Sequence, residues 1–141
     1  EVVHRDPTIL LDAAHNPHGA KALAETIANE FTFDEVIGVV ASFGDKDVRG
    51  ILLELEPIMN EIIVTSNSSP RAMKLSDLEK LANEIFGKDR VTAIETLTAA
   101  IDQAIKDAKR PLSDDSVGVL ITGSVITVGE SRTIINGKYK K

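Results

Sequence analysis

Hydrophobic residues recur along this chain with two alternating periods. Short apolar runs of strand length occupy residues 9–13, 36–41, 61–65, 90–94 and 117–122. All but the last are followed by apolar residues spaced three and four apart, which is the spacing of one face of an amphipathic helix. Strands that alternate with helices predict parallel pairing through right-handed crossovers. We therefore predict an α/β fold: a Rossmann-like, doubly wound, mostly parallel sheet of about five or six strands with helices on both faces.

Polar residues at the start of the helical segments indicate where three helices begin. Asn16 and Pro17 suit the cap and the first turn of the first helix. Asp47 suits the cap of the second helix. Ser76 and Glu79 have the spacing of a capping box, which predicts the start of the third helix.

Helix-breaking residues indicate where the same segments end. Pro57 ends or kinks the second helix, and Gly87 suits the end of the third. Arg110-Pro111 closes the fourth helix, and 112–116 reads as a polar surface loop. The final segment, 133–141, is compatible with a short edge strand or with a frayed end.

Composition limits the classes of function. With 141 residues and 43% hydrophobic content, the chain predicts a single domain, 1–141, with its own core. A formal net charge of −6 argues against nucleic-acid or membrane partners, since both need basic patches. Cysteine is absent, so disulfides and thiolate metal sites are excluded. No apolar run approaches the roughly 20 residues that cross a bilayer, and we expect a cytoplasmic location.

Polar residues whose side chains could take part in binding or catalysis cluster directly after the predicted strands. Asp12 and His15 follow the first strand, and the segments 42–47, 66–71 and 123–124 follow three others. Because parallel strands end at the same edge of a sheet, these residues are expected to converge on one site. Open α/β sheets bind their ligands at that edge.

The residue types leave two interpretations open at three positions and favour one at a fourth. Asp12 suits hydrogen bonds from ribose hydroxyls, or it caps the following turn. His15 suits a phosphate or ribose, or it bonds to the backbone of its own turn. Lys46 suits a carboxylate substrate, or it lies in a solvated loop. Ser124 suits a helix cap, and it lacks the G-x-S-x-G surroundings of a nucleophile.

Four motifs resemble one enzyme family. The hexamer at 12–17 resembles the D-G-A-H-N-P signature of folylpolyglutamate synthases and dihydrofolate synthases, in the Mur-type ligase superfamily. Residues 45–47 resemble the D-K-D segment of that family, 69–72 its S-P-R-A stretch, and 123–124 its G-S segment. Ala13 replaces the usual glycine, which requires a conventional backbone at that position.

The resemblance implies the C-terminal, glutamate-ligase domain of a larger ATP-dependent ligase. Such an enzyme activates a folate or dihydropteroate carboxylate as an acyl phosphate, which the amine of L-glutamate attacks. No G-x-x-x-x-G-K-S/T sequence occurs in this chain, and the resemblance implies that the P-loop ATPase, the folate pocket and the Mg²⁺ ligands lie upstream of it. We therefore expect the domain to be inactive alone, with no metal site of its own.

The same resemblance implies roles for individual residues. On the ATP side it implies Asp12, His15 and Asn16. On the glutamate side it implies Lys46 and Ser124. Arg71 would contact the nucleotide or a partner domain, or it would be a structural arginine that holds its loop.

Two other functions compete with this interpretation. A Mur-type ligase of peptidoglycan precursors shares the sheet and the Asp-x-x-His turn, but the N-P-H-G continuation and the D-K-D segment favour the folate branch. A stand-alone nucleotide-binding module of flavodoxin-like shape is the second. One Tyr and no Trp offer little stacking for a flavin, and Asp12 lacks the acidic neighbours of a phospho-accepting regulator.

Overall fold

The sheet has six strands and is flanked by five α-helices in the computed structural model, which describes residues 1–109 and 116–139. The strands are β1 Val2–His4, β2 Thr8–Asp12, β3 Glu35–Val40, β4 Glu61–Val64, β5 Val91–Ala93 and β6 Val117–Thr122. The helices are α1 Pro17–Glu30, α2 Val48–Leu55, α3 Leu75–Phe86, α4 Leu97–Ala108 and α5 Val125–Lys138. Short 3-10 turns occupy Glu56–Ile58 and Lys88–Arg90.

The strand order is β1-β2-β6-β3-β4-β5, and every neighbouring pair is parallel except β1 with β2. This confirms the predicted fold and the five predicted strands. The three-residue β1 was not predicted, because its strand conformation depends on antiparallel pairing with β2, in which Val2 lies opposite Leu10.

The core has two layers, one on each face of the sheet. Helices α1, α2 and α3 cover one face, where Leu10, Val40 and Leu120 point. Helices α4 and α5 cover the other, where Ile9 and Ile121 point. Alternate side chains of the same strands therefore pack into opposite core layers, as expected for a sheet buried on both sides.

Several predicted helix boundaries are confirmed. The Asn16 side chain accepts a hydrogen bond from the backbone N–H three residues later at 2.7 Å, and that of Asp47 does so at 2.9 Å. Pro57 lies in the 3-10 turn that follows α2. Gly87 follows α3 with φ of +85°, a conformation that glycine adopts without strain.

The predicted capping box of α3 is wrong. The helix begins at Leu75, so Ser76 lies inside the first turn, and the capping position belongs to Lys74, which makes no side-chain cap. Leu75 packs against the core, and this contact places the helix start ahead of the serine.

The last described segment of the chain is mostly helical. Helix α5 extends to Lys138, so the edge strand considered for 133–141 is wrong over its described part. The buried face of α5 includes Val128, Ser131 and Ile135. Because Ser131 is polar, the apolar periodicity of this helix is weak in the sequence. The predicted closure at Arg110-Pro111 and most of the loop 112–116 lie outside the described residues. No helix in the described ranges combines the length and the apolar character needed to span a membrane.

The last turn of α5 is anchored to α4 through Asp102. The Asp102 carboxylate accepts hydrogen bonds from the Tyr139 hydroxyl and, at 2.6 Å, from the Lys138 ammonium. Burial raises the pKa of Tyr139 to about 12, and the bond to Asp102 acts in the same direction. Because the pKa of Tyr139 in the folded state exceeds its unfolded value of about 10, the protonated hydroxyl contributes to the stability of the fold. This contribution is complete below pH 10. It is lost as the pH rises toward the folded pKa.

We expect Asp102→Asn to bring the pKa of Tyr139 part of the way back to its ordinary value, since the charge disappears while the burial stays. The chain has one Tyr and no Trp, so a near-ultraviolet titration of tyrosinate reports on Tyr139 alone. Asp89→Asn, at an exposed position in the 3-10 turn Lys88–Arg90, is the control. A pKa that stays unchanged in Asp102→Asn would contradict the assigned coupling.

Candidate functional site

The carboxyl ends of β2, β6 and β3 lie side by side, because β6 is inserted between the other two strands. The register pairs Thr122 with Asp12 on one side and with Val40 on the other. Helix α1 leaves this edge toward one face of the sheet, whereas α5 leaves toward the opposite face. The crevice at such a change of direction is where open α/β sheets bind ligands.

The turn that follows β2, residues 12–16, is held by its own side chains. One carboxylate oxygen of Asp12, Oδ1, accepts a hydrogen bond from the Ala14 N–H at 2.9 Å. The Nδ1 atom of His15 lies 3.2 Å from the Ala13 carbonyl oxygen. His15 and Asn16 are exposed, and Ala13 has no positive φ, as its replacement of glycine requires. Both structural interpretations considered for Asp12 and His15 are thus observed.

Lys46 lies in the loop that follows β3, residues 41–47, which we call the lysine loop. The lysine is half-buried, and no ion pair within 1–109 and 116–139 involves its ammonium group. Its neighbour Asp47 caps α2, and its neighbour Asp45 pairs with Arg71. Both acids that flank Lys46 in the sequence thus have partners other than the lysine.

Arg71 holds two loops together. Its guanidinium donates to Asp45 at 2.7 Å and lies 4.5 Å from the centre of the Phe43 ring. The hydrogen bond from Arg71 lowers the pKa of the Asp45 carboxyl. Backbone contacts join the same segments, including an isolated antiparallel bridge between Phe43 and Ala72. The geometry fits the structural role considered for Arg71, in which it binds the lysine loop to the loop 66–73 that follows β4, here called the arginine loop.

Ser124 is 1% exposed and caps α5. Its hydroxyl oxygen accepts a hydrogen bond from the Thr127 N–H at 3.0 Å. The preceding Gly123 has φ of +127°, and its carbonyl accepts a hydrogen bond from Ser42 at 3.1 Å. The cap expected for Ser124 is thus present, and the serine lies between the 12–16 turn and the lysine loop.

Two residues at this edge were missed by the sequence interpretation. Asn67 is 9% exposed, and its amide donates to the Thr127 hydroxyl at 3.0 Å. Asn67 lies three residues beyond the end of β4, in the segment 66–71 that was expected at this edge, and this position was the available signal although no role was assigned to the residue. Thr127 gives no such signal, because it lies within a helix.

A second concave feature lies on the face that α4 and α5 cover. This cleft of about 560 Å³ is bounded by the start of α4, one side of α5 and the beginning of the arginine loop. Glu95 and Glu130 contribute carboxylates to it, and Glu130 accepts a hydrogen bond from the Ser68 N–H at 3.1 Å. Within the described ranges, no three or more His, Cys, Asp or Glu side chains are grouped as metal ligands would be.

Residues 1–125 match the model of the family described as "Mur ligase, glutamate ligase domain". The chain therefore belongs to this family, as its motifs indicated. It is 47% identical over 136 residues to the dihydrofolate synthase/folylpolyglutamate synthase of Mycobacterium tuberculosis, an alignment that covers 91% of this chain and 28% of the relative.

Solved structures give the same result. A folylpolyglutamate synthase from Mycobacterium tuberculosis, complexed with ADP and AMPPCP, superposes with a TM-score of 0.89 at 48% identity, covering 95% of this chain and 31% of that one. The bifunctional synthase from Yersinia pestis, complexed with AMPPNP and a Mn ion, gives 0.78 at 26% identity, with coverages of 96% and 30%. The chain spans less than a third of the length of these relatives.

We expect Gly123→Ala to destabilise the domain by about 3 kcal/mol, because a Cβ there would lie 2.1 Å from the Ala41 carbonyl oxygen in a backbone conformation that strains other residues. Gly129→Ala is the matched control. This glycine lies in α5 with open space around it, so alanine should stabilise by about 0.5–1 kcal/mol. Urea unfolding measures both changes, and equal midpoints for the two variants would disprove the assignment.

Proposed function

We propose that this chain is the C-terminal domain of a longer ATP-dependent ligase that joins L-glutamate to a folate or to dihydropteroate. The observation that carries the proposal is the convergence of the 12–16 turn, the lysine loop and Ser124 at three adjacent strand ends. These segments hold the motifs that resemble the synthase family. The parent enzyme would act in the cytoplasm, where its ATP is supplied.

The 12–16 turn fits the nucleotide side of such a site. Because the turn uses only Oδ1 of Asp12, the second carboxylate oxygen is available to accept a hydrogen bond from a ribose hydroxyl. His15 and Asn16 are exposed on the same turn, and the amide nitrogen of Asn16 is not needed for capping. ATP would supply the phosphoryl group that activates the acid.

The metal would be held by the rest of the parent enzyme. Mg²⁺ in phosphate sites uses one or two protein carboxylates together with the phosphates, and the resemblance to the synthase family places those ligands with the ATPase region outside this chain. The contribution of this domain is to bind and orient substrates rather than to hold the ion.

The lysine loop and the start of α5 fit the glutamate side. The Lys46 ammonium is a charge partner for a substrate carboxylate, and its neighbouring acids are engaged elsewhere. The first turn of α5 carries the partial positive charge of a helix N-terminus, and its exposed Val125 leaves that turn open to solvent. Held here, glutamate would direct its amine at the activated carboxyl carbon, which forms the amide and releases phosphate.

The two substrates would meet only when this domain closes on the remainder of the enzyme. Closure would exclude water from the activated acid, which water would otherwise hydrolyse. The isolated domain carries half of the site and would have no ligase activity.

The first experiment is ATP-dependent incorporation of labelled glutamate into dihydropteroate and into tetrahydrofolate by the full-length enzyme, with wild type beside Asp12→Asn. Asparagine keeps the acceptor for the Ala14 N–H but removes the charge, so the KM for ATP should rise about tenfold while the turn persists. Asp89→Asn is the control. No incorporation with either acceptor would overturn the proposal and favour a cell-wall precursor ligase.

Replacing Lys46 by alanine in the same enzyme should raise the KM for glutamate about tenfold, because a charge partner of the carboxylate is lost. The KM for ATP should change far less. Lys106→Ala removes an exposed lysine from α4 and serves as the control for the change in net charge. Equal effects of Lys46→Ala on both substrates would contradict its placement beside glutamate.

A further inference from the structure

Three buried polar side chains form a continuous network behind the start of α5. Ser124, Thr127 and Asn67 are 1%, 0% and 9% exposed. The Asn67 amide nitrogen lies 3.0 Å from the Thr127 hydroxyl oxygen and 3.4 Å from that of Ser124. The two hydroxyl oxygens are 2.9 Å apart. The network therefore joins the beginning of the arginine loop to the first turn of α5.

The positions of the protons follow from the partners. The Thr127 hydroxyl lies 2.7 Å from the Ala41 carbonyl, which only accepts, so Thr127 donates its one proton there. The Asn67 amide is oriented by the Ser69 N–H, which donates to its oxygen at 2.9 Å, so the nitrogen of Asn67 faces Thr127. The proton between the two hydroxyl groups must therefore belong to Ser124.

The Ser124 hydroxyl is thus fully occupied in this state. It donates to Thr127, accepts from the Thr127 N–H at 3.0 Å and accepts weakly from Asn67 at 3.4 Å. A substrate carboxylate needs a donor, and Ser124 can become one only by turning its hydroxyl away from Thr127. That movement removes one donor from the Thr127 oxygen, which is buried away from water.

We propose that Asn67 is a positioning residue that allows Ser124 to exchange its internal bond for one to the glutamate carboxylate. When Ser124 turns outward, the Asn67 amide still donates to Thr127, so no buried hydroxyl oxygen is left without a partner. Without that donor, Thr127 depends on Ser124 and holds its hydroxyl inward. This inference rests on the proposed function, in which Ser124 lies on the glutamate side.

The decisive variant is Asn67→Asp in the full-length enzyme. Aspartate has nearly the same size and keeps an acceptor for the Ser69 N–H, but its carboxylate cannot donate to Thr127 and attracts the Ser124 proton inward. We expect the KM for glutamate to rise at least tenfold and the KM for ATP to change less than twofold. Asn67→Ala removes the donor without burying a charge. It should likewise raise the KM for glutamate and leave the KM for ATP nearly unchanged.

The control and the double variant separate positioning from general damage. Ser68→Ala alters the adjacent residue, whose hydroxyl contacts Glu130 outside the network, and both KM values should stay near wild type. If Asn67 acts through Ser124, then Asn67→Asp should add little to the KM for glutamate in a Ser124→Ala background. Fully multiplicative effects, or equal losses toward ATP and glutamate, would overturn the inference.

Other variants test the proposed function separately from the role of Asn67. If Lys46→Ala and Ser124→Ala leave the KM for glutamate unchanged, the glutamate side itself is misplaced. If those two variants raise it while Asn67→Asp and Asn67→Ala do not, only the positioning role of Asn67 fails.

Discussion

The rest of this structure depends on the pairing of β6 with β2 on one side and with β3 on the other. Val119, Leu120 and Ile121 are completely buried, so their backbone groups must be satisfied by neighbouring strands. Strand β6, the last strand of the described residues, is thereby placed in the middle of the sheet. The segment that follows it emerges between the segments that follow β2 and β3. The candidate site is assembled only when this central pairing is complete.

Side chains at this edge stabilise the local backbone with one polar atom and keep a second polar atom for other contacts. Asp12 supports its turn with one oxygen and keeps the other, and Asn16 caps α1 with its oxygen and keeps its amide nitrogen. A structural bond therefore does not exclude a binding role for these residues. The contrast between Arg71 and Lys46 is of a different kind. The arginine is engaged by Asp45 and Phe43, whereas no ion pair among the described residues involves Lys46.

The loops around the site are connected to each other rather than independent. The lysine and arginine loops share a backbone bridge and the pair between Arg71 and Asp45, and Asn67 joins the arginine loop to α5. A site held this way keeps its geometry while a domain moves as a body. Under the proposed function, such connections would keep the glutamate side in one geometry while this domain closes on the rest of the enzyme.

The sequence by itself determined the five parallel strands, the first four helices and the chemical character of the edge, because these depend on local periodicity, caps and motifs. The tertiary structure decided what depends on distant partners. Strand β1 exists through its pairing with β2, and helix α5 buries polar as well as apolar side chains, so neither has a clear local pattern. Asn67 finds its hydrogen-bond partners in hydroxyl groups 57 and 60 residues away. Hydrogen bonds of this kind have no periodicity along the chain, and only the folded arrangement of β3, β4 and β6 brings their partners together.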